Sequence, residues 1–143
     1  MIIKQLSIFV ENKEGRLSEI TQTLADNGID IRALSIADTT DYGILRLIVN
    51  DPDKALKALK GEGMTVSLTD VIAIAVPDTP GGLNKAVKVL SSDNISIEYM
   101  YAFLNPRKDT AFVILRVENN ERAIKALTAG GIRLMKNEEI YSL

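Results

Sequence analysis

"KEGRLSEITQTLADNGIDIRAL" (residues 13–34) and "TPGGLNKAVKVLSSDNISIEYM" (residues 79–100) are two versions of one pattern. At an offset of 66 positions Gly15 falls on Gly81, Leu17 on Leu83, Leu24 on Leu90, Ile29 on Ile95 and Ile31 on Ile97. Further along, an offset of 68 places "KALKAL" (54–59) on "RAIKAL" (122–127) and "GM" (63–64) on "GI" (131–132). The correspondence recurs in order along the whole chain, which identifies an internal duplication. The change of offset implies two extra residues in the second copy, expected in the hairpin at "LNPRKD" (104–109).

Each copy has the same grammar. Leu6, Ile8 and Val10 alternate with Gln5, Ser7 and Phe9, the period-two signature of a strand. Leu17, Ile20, Thr21 and Leu24 recur at helical spacing and predict a helix over 16–27. Gly28 stops it, since glycine enters the left-handed C′ conformation at low cost, and Asn94 takes that place in the second copy. "IDIRALSI" and "ILRLIV" read as strands joined by a turn at "DYG". Asp51 and Pro52 are an N-cap and a first helical residue, Ala55, Leu56 and Leu59 face the core, and Gly61 and Gly63 end the helix. "MTVSL" closes the unit as a fourth strand.

The order β-α-β-β-α-β predicts an α+β fold of two tandem ferredoxin-like units, each a four-stranded antiparallel sheet with helices on one face. The boundary is expected at Thr69 and Asp70, giving domains 1–69 and 70–143 with no flexible linker. One sheet face is left without helices. Its positions on the first strand are Gln5, Ser7 and Phe9 in one copy and Val71, Ala73 and Ala75 in the other. Tyr99, Tyr101, Phe103 and Phe112 add aromatic surface to the second copy. A solvated face is more polar than this, so burial by the other copy or a second chain is expected, and with it a homodimer.

Composition narrows the chemistry. The chain has 143 residues, 46% of them hydrophobic, enough for a real core. A net charge of −2 with both signs interspersed argues against a phosphate-neutralising face, and "AFVILRV" lacks the basic and aromatic residues of an RNA-reading strand. No apolar run is long enough to span a membrane, and "MIIKQLSIFV" has no signal-peptide anatomy, so a cytoplasmic protein is expected. There is no Cys and no His, which removes thiolate metal sites, Cys nucleophiles and the usual acid–base residue at neutral pH. No enzyme activity, metal or cofactor is expected.

The turn between the first strand and first helix, Asn12 to Leu17, is the candidate site. A helix start exposes unpaired N–H groups at the positive end of its dipole, a place for a carboxylate. Gly15 permits close approach to the backbone, Asn12 carries both a donor and an acceptor, and Asp30 at the start of the second strand suits an ammonium group. Together these are the needs of a free amino acid.

"VENKEGRLSEITQTLADNGIDI" (10–31) resembles the hallmark of the ACT domain family, small regulatory modules of amino-acid biosynthetic enzymes. The resemblance covers nearly the whole chain as two tandem copies and is closest in format to stand-alone tandem ACT proteins. It implies the βαββαβ fold and a ligand held where two ACT domains meet side by side. By that resemblance the first site comprises Asn12, Lys13, Glu14, Gly15, Arg16 and Leu17 from one domain, with Asp30 and Ile31 as the second-strand positions of a facing domain. The second comprises Asp78, Thr79, Pro80, Gly81, Gly82 and Leu83, with Ser96 and Ile97. Asp30 stands where the family often has Asn, Glu14 where it usually has Pro, and Gly82 replaces Arg16, so the two sites are expected to be unequal.

The expected function is that of a non-catalytic regulator whose free amino-acid ligand controls amino-acid metabolism through domain packing. The alternative is a ligand-free scaffold docking on a biosynthetic enzyme through its sheet face. Glu11, Asp30, Asp38 and Asp78 favour a polar or cationic side chain on the ligand.

Overall fold

The computed structural model describes residues 1–38, 41–104 and 107–143, with the side chain of Asp38 outside that set. The chain divides into two compact units. One comprises Lys4–Thr69 with Tyr141–Leu143, the other Asp70–Ile140 with Met1–Ile3. Each unit therefore takes in three residues from the far end of the chain.

The first unit holds β1 (Ile3–Glu11), α1 (Arg16–Asp26), β2 (Ile31–Asp38), β3 (Tyr42–Val49), α2 (Pro52–Gly61) and the opening residues of β4 (Val66–Pro77). The strands lie in the order β4-β1-β3-β2, with Leu6 opposite Leu47 and Val10 opposite Gly43. Alternation then puts Leu6, Ile8, Leu45, Leu47 and Val49 on the helix side, where Ile20 and Leu24 of α1 and Ala55 and Leu59 of α2 meet them. Asp51 caps α2 by accepting from the Lys54 N–H at 3.2 Å, with Pro52 next. Gly28 and Gly63 follow the two helices at φ 67° and 79°, the left-handed values that make glycine the cheap choice.

The second unit repeats this with the remainder of β4, α3 (Gly82–Ser92), β5 (Ile97–Ala102), β6 (Thr110–Val117), α4 (Asn120–Ala129), β7 (Arg133–Leu134) and α5 (Asn137–Tyr141). Its pairings give the order β7-β4-β6-β5, the same circuit as the first unit. Asn94 stands at φ 57° in the place of Gly28. Val76 faces Ala111 just as Val10 faces Gly43, so the extra residues of the second copy lie between β5 and β6. Asn105 and Pro106 of that hairpin are outside the described residues. Both units are ferredoxin-like, and the fold is α+β.

Two details depart from the sequence reading. Leu17 and Thr21 share the helical spacing of Ile20 and Leu24, yet only the latter two are buried, and Leu17 is 45% exposed. Where the second copy was expected to end in a full strand, β7 has two residues and α5 follows. The helix is started by Glu139, whose carboxylate reaches back to the Lys136 N–H at 2.8 Å, one half of a capping box. The last strand of the first copy and the first of the second form one continuous element, β4. On the face without helices Val71 and Ala73 are fully buried and Ala75 nearly so. Gln5 is buried as well and donates to the Ser7 hydroxyl at 3.1 Å, which in turn bonds Thr69 at 2.8 Å.

Candidate functional site at the first helix start

The turn after β1 is wound tightly on itself. Asn12 donates its N–H to the Asp41 carbonyl at 2.9 Å, Lys13 to the Glu11 carbonyl at 2.8 Å, and Arg16 to the Lys13 carbonyl at 3.3 Å. Gly15 is the N-cap at φ 81°, with no Cβ to oppose the left-handed turn and no side chain to cap the helix. The first helical bond runs from Glu19 N–H to the Gly15 carbonyl at 2.9 Å. The amides of Leu17 and Ser18 are therefore left to a partner from outside the helix. Within the expected turn, Asn12 to Leu17, the Arg16 amide is engaged by the Lys13 carbonyl. Ser18 lies one residue beyond that turn.

A cavity of about 180 Å³ is lined by Val10, Glu11, Asn12, Lys13, Arg16, Leu17, Ile36 and Gly43. A smaller one of about 90 Å³ shares Val10, Glu11 and Arg16 and reaches Ile20, Gly63 and Met64. Charges ring the opening. Lys13 Nζ is 2.9 Å from Glu11, and Arg16 is 3.7 Å from Glu11 and 3.0 Å from Glu19. The Lys13 hydrogen bond, then the charges of Lys13 and Arg16, hold the Glu11 carboxyl below its ordinary pKa.

The second copy keeps the scaffold and changes the contents. Asp78 N–H meets the Asp109 carbonyl at 3.0 Å, Gly82 N–H the Thr79 carbonyl at 3.0 Å, and Lys85 N–H the Gly81 carbonyl at 3.1 Å, matching the Asn12, Arg16 and Glu19 bonds of the first turn. Gly81 has φ 86° and no side-chain cap. Its cavity opens on the other flank, about 390 Å³ among Val76, Pro77, Thr79, Pro80, Gly81, Gly82, Lys85 and Arg133. That flank is where Arg16 stands in the first copy, and Gly82 leaves it open. Leu83, unlike Leu17, packs against the core of its unit.

The predicted site residues separate into groups. Asn12, Lys13, Arg16 and Leu17 line one cavity, while Thr79, Pro80, Gly81 and Gly82 line another. Glu14 is exposed on the first turn, and Asp78 on the second. Asp30 and Ile31 begin β2, at the end of the sheet remote from Gly15, because β2 pairs with β3 from Ile31 opposite Val49 to Asp38 opposite Gly43. The Asp30 carboxylate accepts from Arg32, a buried guanidinium that also donates to the Tyr141 carbonyl at 3.2 Å. Ser96 lines a separate groove with Asn94, Glu98, Glu118 and Arg122, and Ile97 packs against the core of its unit. No group of metal-ligating side chains occurs among the described residues, and no helix there is long and apolar enough to cross a membrane.

Comparison with known proteins fits this geometry. The family model described as an ACT domain pair matches residues 1–143. The crystal structure of protein BT0572 from Bacteroides thetaiotaomicron is 46% identical with a TM-score of 0.94, over 100% of this chain and 98% of that one. The ligand-free regulatory subunit of aspartate kinase from Thermus thermophilus superposes with a TM-score of 0.62 at 19% identity, over 89% of this chain and 91% of that one. The corresponding subunit from Thermus flavus gives 0.60 at 19% identity, over 90% and 92%. At that identity these two share the fold. No curated protein matches the chain.

Proposed function

This chain belongs to the ACT domain pair family, and on that premise we propose that it is a non-catalytic, cytoplasmic regulator that binds a free amino acid. The observation that carries the reading is the pair of uncapped amides, Leu17 and Ser18, beside a cavity that Leu17 itself lines. A carboxylate is the natural partner for such amides at the positive end of a helix. A second ACT domain, in the proposal that of a homodimer partner, completes the site with residues of its own β2. Ligand held there favours one packing of the domains, and an enzyme of amino-acid metabolism that prefers this packing is controlled by linkage of about 1–3 kcal/mol. The kinship in fold with regulatory subunits of aspartate kinase agrees with such a role.

The test is a thermal-shift screen against the twenty standard amino acids. Ligand at a hundred times its Kd stabilises by about 2.7 kcal/mol, a shift of several degrees. A flat response to all of them refutes the sensor. It would favour the scaffold reading, for which the exposed Phe9, Tyr42 and Ile44 on the face without helices speak, with Phe9 and Tyr42 rings 4.5 Å apart.

A further inference from the structure

The cavity at the first turn is lined by charged and apolar side chains together. Val10, Leu17, Ile36 and the main chain of Gly43 form the walls beyond Asn12. Among the described residues Glu11 is the one acid that lines it, with two cations, Lys13 and Arg16, close by. Two of the acids that pointed to a cationic ligand are placed elsewhere, the Asp30 carboxylate on Arg32 and Asp78 on the second turn, and the Asp38 side chain lies outside the described residues. From this we infer that the first site, taken as the amino-acid site proposed above, selects an aliphatic amino acid, and that the matching place in the second copy has lost the pocket. The carboxylate lies on the Leu17 and Ser18 amides, and the side chain enters between Leu17, Ile36 and Gly43.

Size and register support both halves of the inference. A volume of about 180 Å³ falls below the roughly 300 Å³ at which pockets for drug-sized ligands begin. A side chain of a few carbons matches that volume. A lysine or arginine side chain placed there would stand close to two like charges. In the second copy the register puts Ala111 where the first has Gly43, and Ala102 where it has Ile36. A methyl thus stands at the position opposite Val76, where the residue opposite Val10 has none. Pro77 replaces Glu11, and Leu83 turns inward against its core where Leu17 stays exposed.

The experiment is isothermal titration of the full chain with leucine, isoleucine, valine, lysine, arginine, serine and tryptophan, repeated on Gly43→Ala and Ile36→Ala. The expected result is binding of the three aliphatic amino acids with one site per chain, at least tenfold tighter than any other. Ile36→Ala weakens leucine about tenfold or more, in line with the worth of a few methylenes in a pocket. Gly43→Ala abolishes binding while its urea midpoint stays within error of wild type, since the second copy carries alanine at that register. Lysine, arginine or serine binding better than leucine overturns this inference and leaves the sensor reading standing. Leucine binding unchanged in Gly43→Ala, or two equal sites per chain, overturns the placement. No binding of any of the seven overturns this inference, and a flat thermal-shift screen of all twenty removes the sensor reading itself.

Discussion

Alanine at position 82 puts a methyl group where main chain already stands. An ideal Cβ on Gly82 lies 2.0 Å from the Pro77 carbonyl oxygen and 3.1 Å from its carbon. Real Cβ contacts are essentially never under 3.0 Å, so the turn must open by about 1 Å to admit it. Two bonds resist: Gly82 N–H to the Thr79 carbonyl and Asp78 N–H to the Asp109 carbonyl, both 3.0 Å. Weakening both costs about 2 kcal/mol, and residual backbone strain adds about 1 kcal/mol. Alanine regains about 0.5–1 kcal/mol over glycine in the helix it begins. The net expectation is a loss of about 2 kcal/mol, which in a unit of this size lowers Tm by on the order of 10 °C. Thermal and urea melts followed by far-ultraviolet circular dichroism measure it. Gly61→Ala is the control, because its added Cβ meets nothing within 4 Å and its φ is ordinary; it should be neutral or slightly stabilising. If Gly82→Ala melts together with Gly61→Ala, the Pro77 carbonyl is not over residue 82 and the account of this turn is wrong.

Three further outcomes are expected. Gly15→Ala has open space around its Cβ but keeps φ near 81°, so it loses about 1–2 kcal/mol to left-handed strain alone. Gly15→Asn loses less, as Asn94 already serves at φ 57° in this chain; equal melts for the two variants would contradict a conformational cause. Leu24→Ala, at a site 1% exposed, costs about 2–5 kcal/mol, whereas Leu17→Ala leaves the urea midpoint nearly unchanged and weakens amino-acid binding, and the reverse order would mean Leu17 is a core residue. Glu11 titrates below the ordinary carboxylate range because Lys13 bonds it and Arg16 stands by. Its favourable interaction is present above that range and is lost as pH falls through the lowered folded-state pKa. Lys13→Met should move the carboxyl resonance titration back upward by NMR, and an unmoved curve would remove Lys13 as the leading cause.

Much of the architecture was legible because duplication and periodicity are local properties of a sequence. The repeat gave the βαββαβ circuit twice, and the structure repeats it down to the individual bonds, as in the Asn12–Asp41 and Asp78–Asp109 pairs. Glycine at 15, 28, 63 and 81 was readable for the same reason, since φ is set residue by residue. Helical spacing put Leu17 on the buried stripe, but a stripe states direction only, and whether anything packs over a helix's first turn is decided by other strands. The helix after β7 was missed for want of a Ser or Thr cap, its start being set by Glu139 reaching back to Lys136.

What residues alone determined, then, is the fold of each unit and the tight turn at each first helix start, the place proposed here for a ligand's carboxylate, because both follow from chain-local geometry. What only the tertiary structure decided is what surrounds that turn. Arg16 consumes one amide of the expected cradle, by its bond to Lys13. Arg32 engages Asp30. Ile36 and Gly43, some twenty residues and more from Leu17 in sequence, come beside it only when β2 and β3 pair. The character of a pocket is a property of walls drawn from distant parts of the chain, and no spacing along the sequence records which of them will meet.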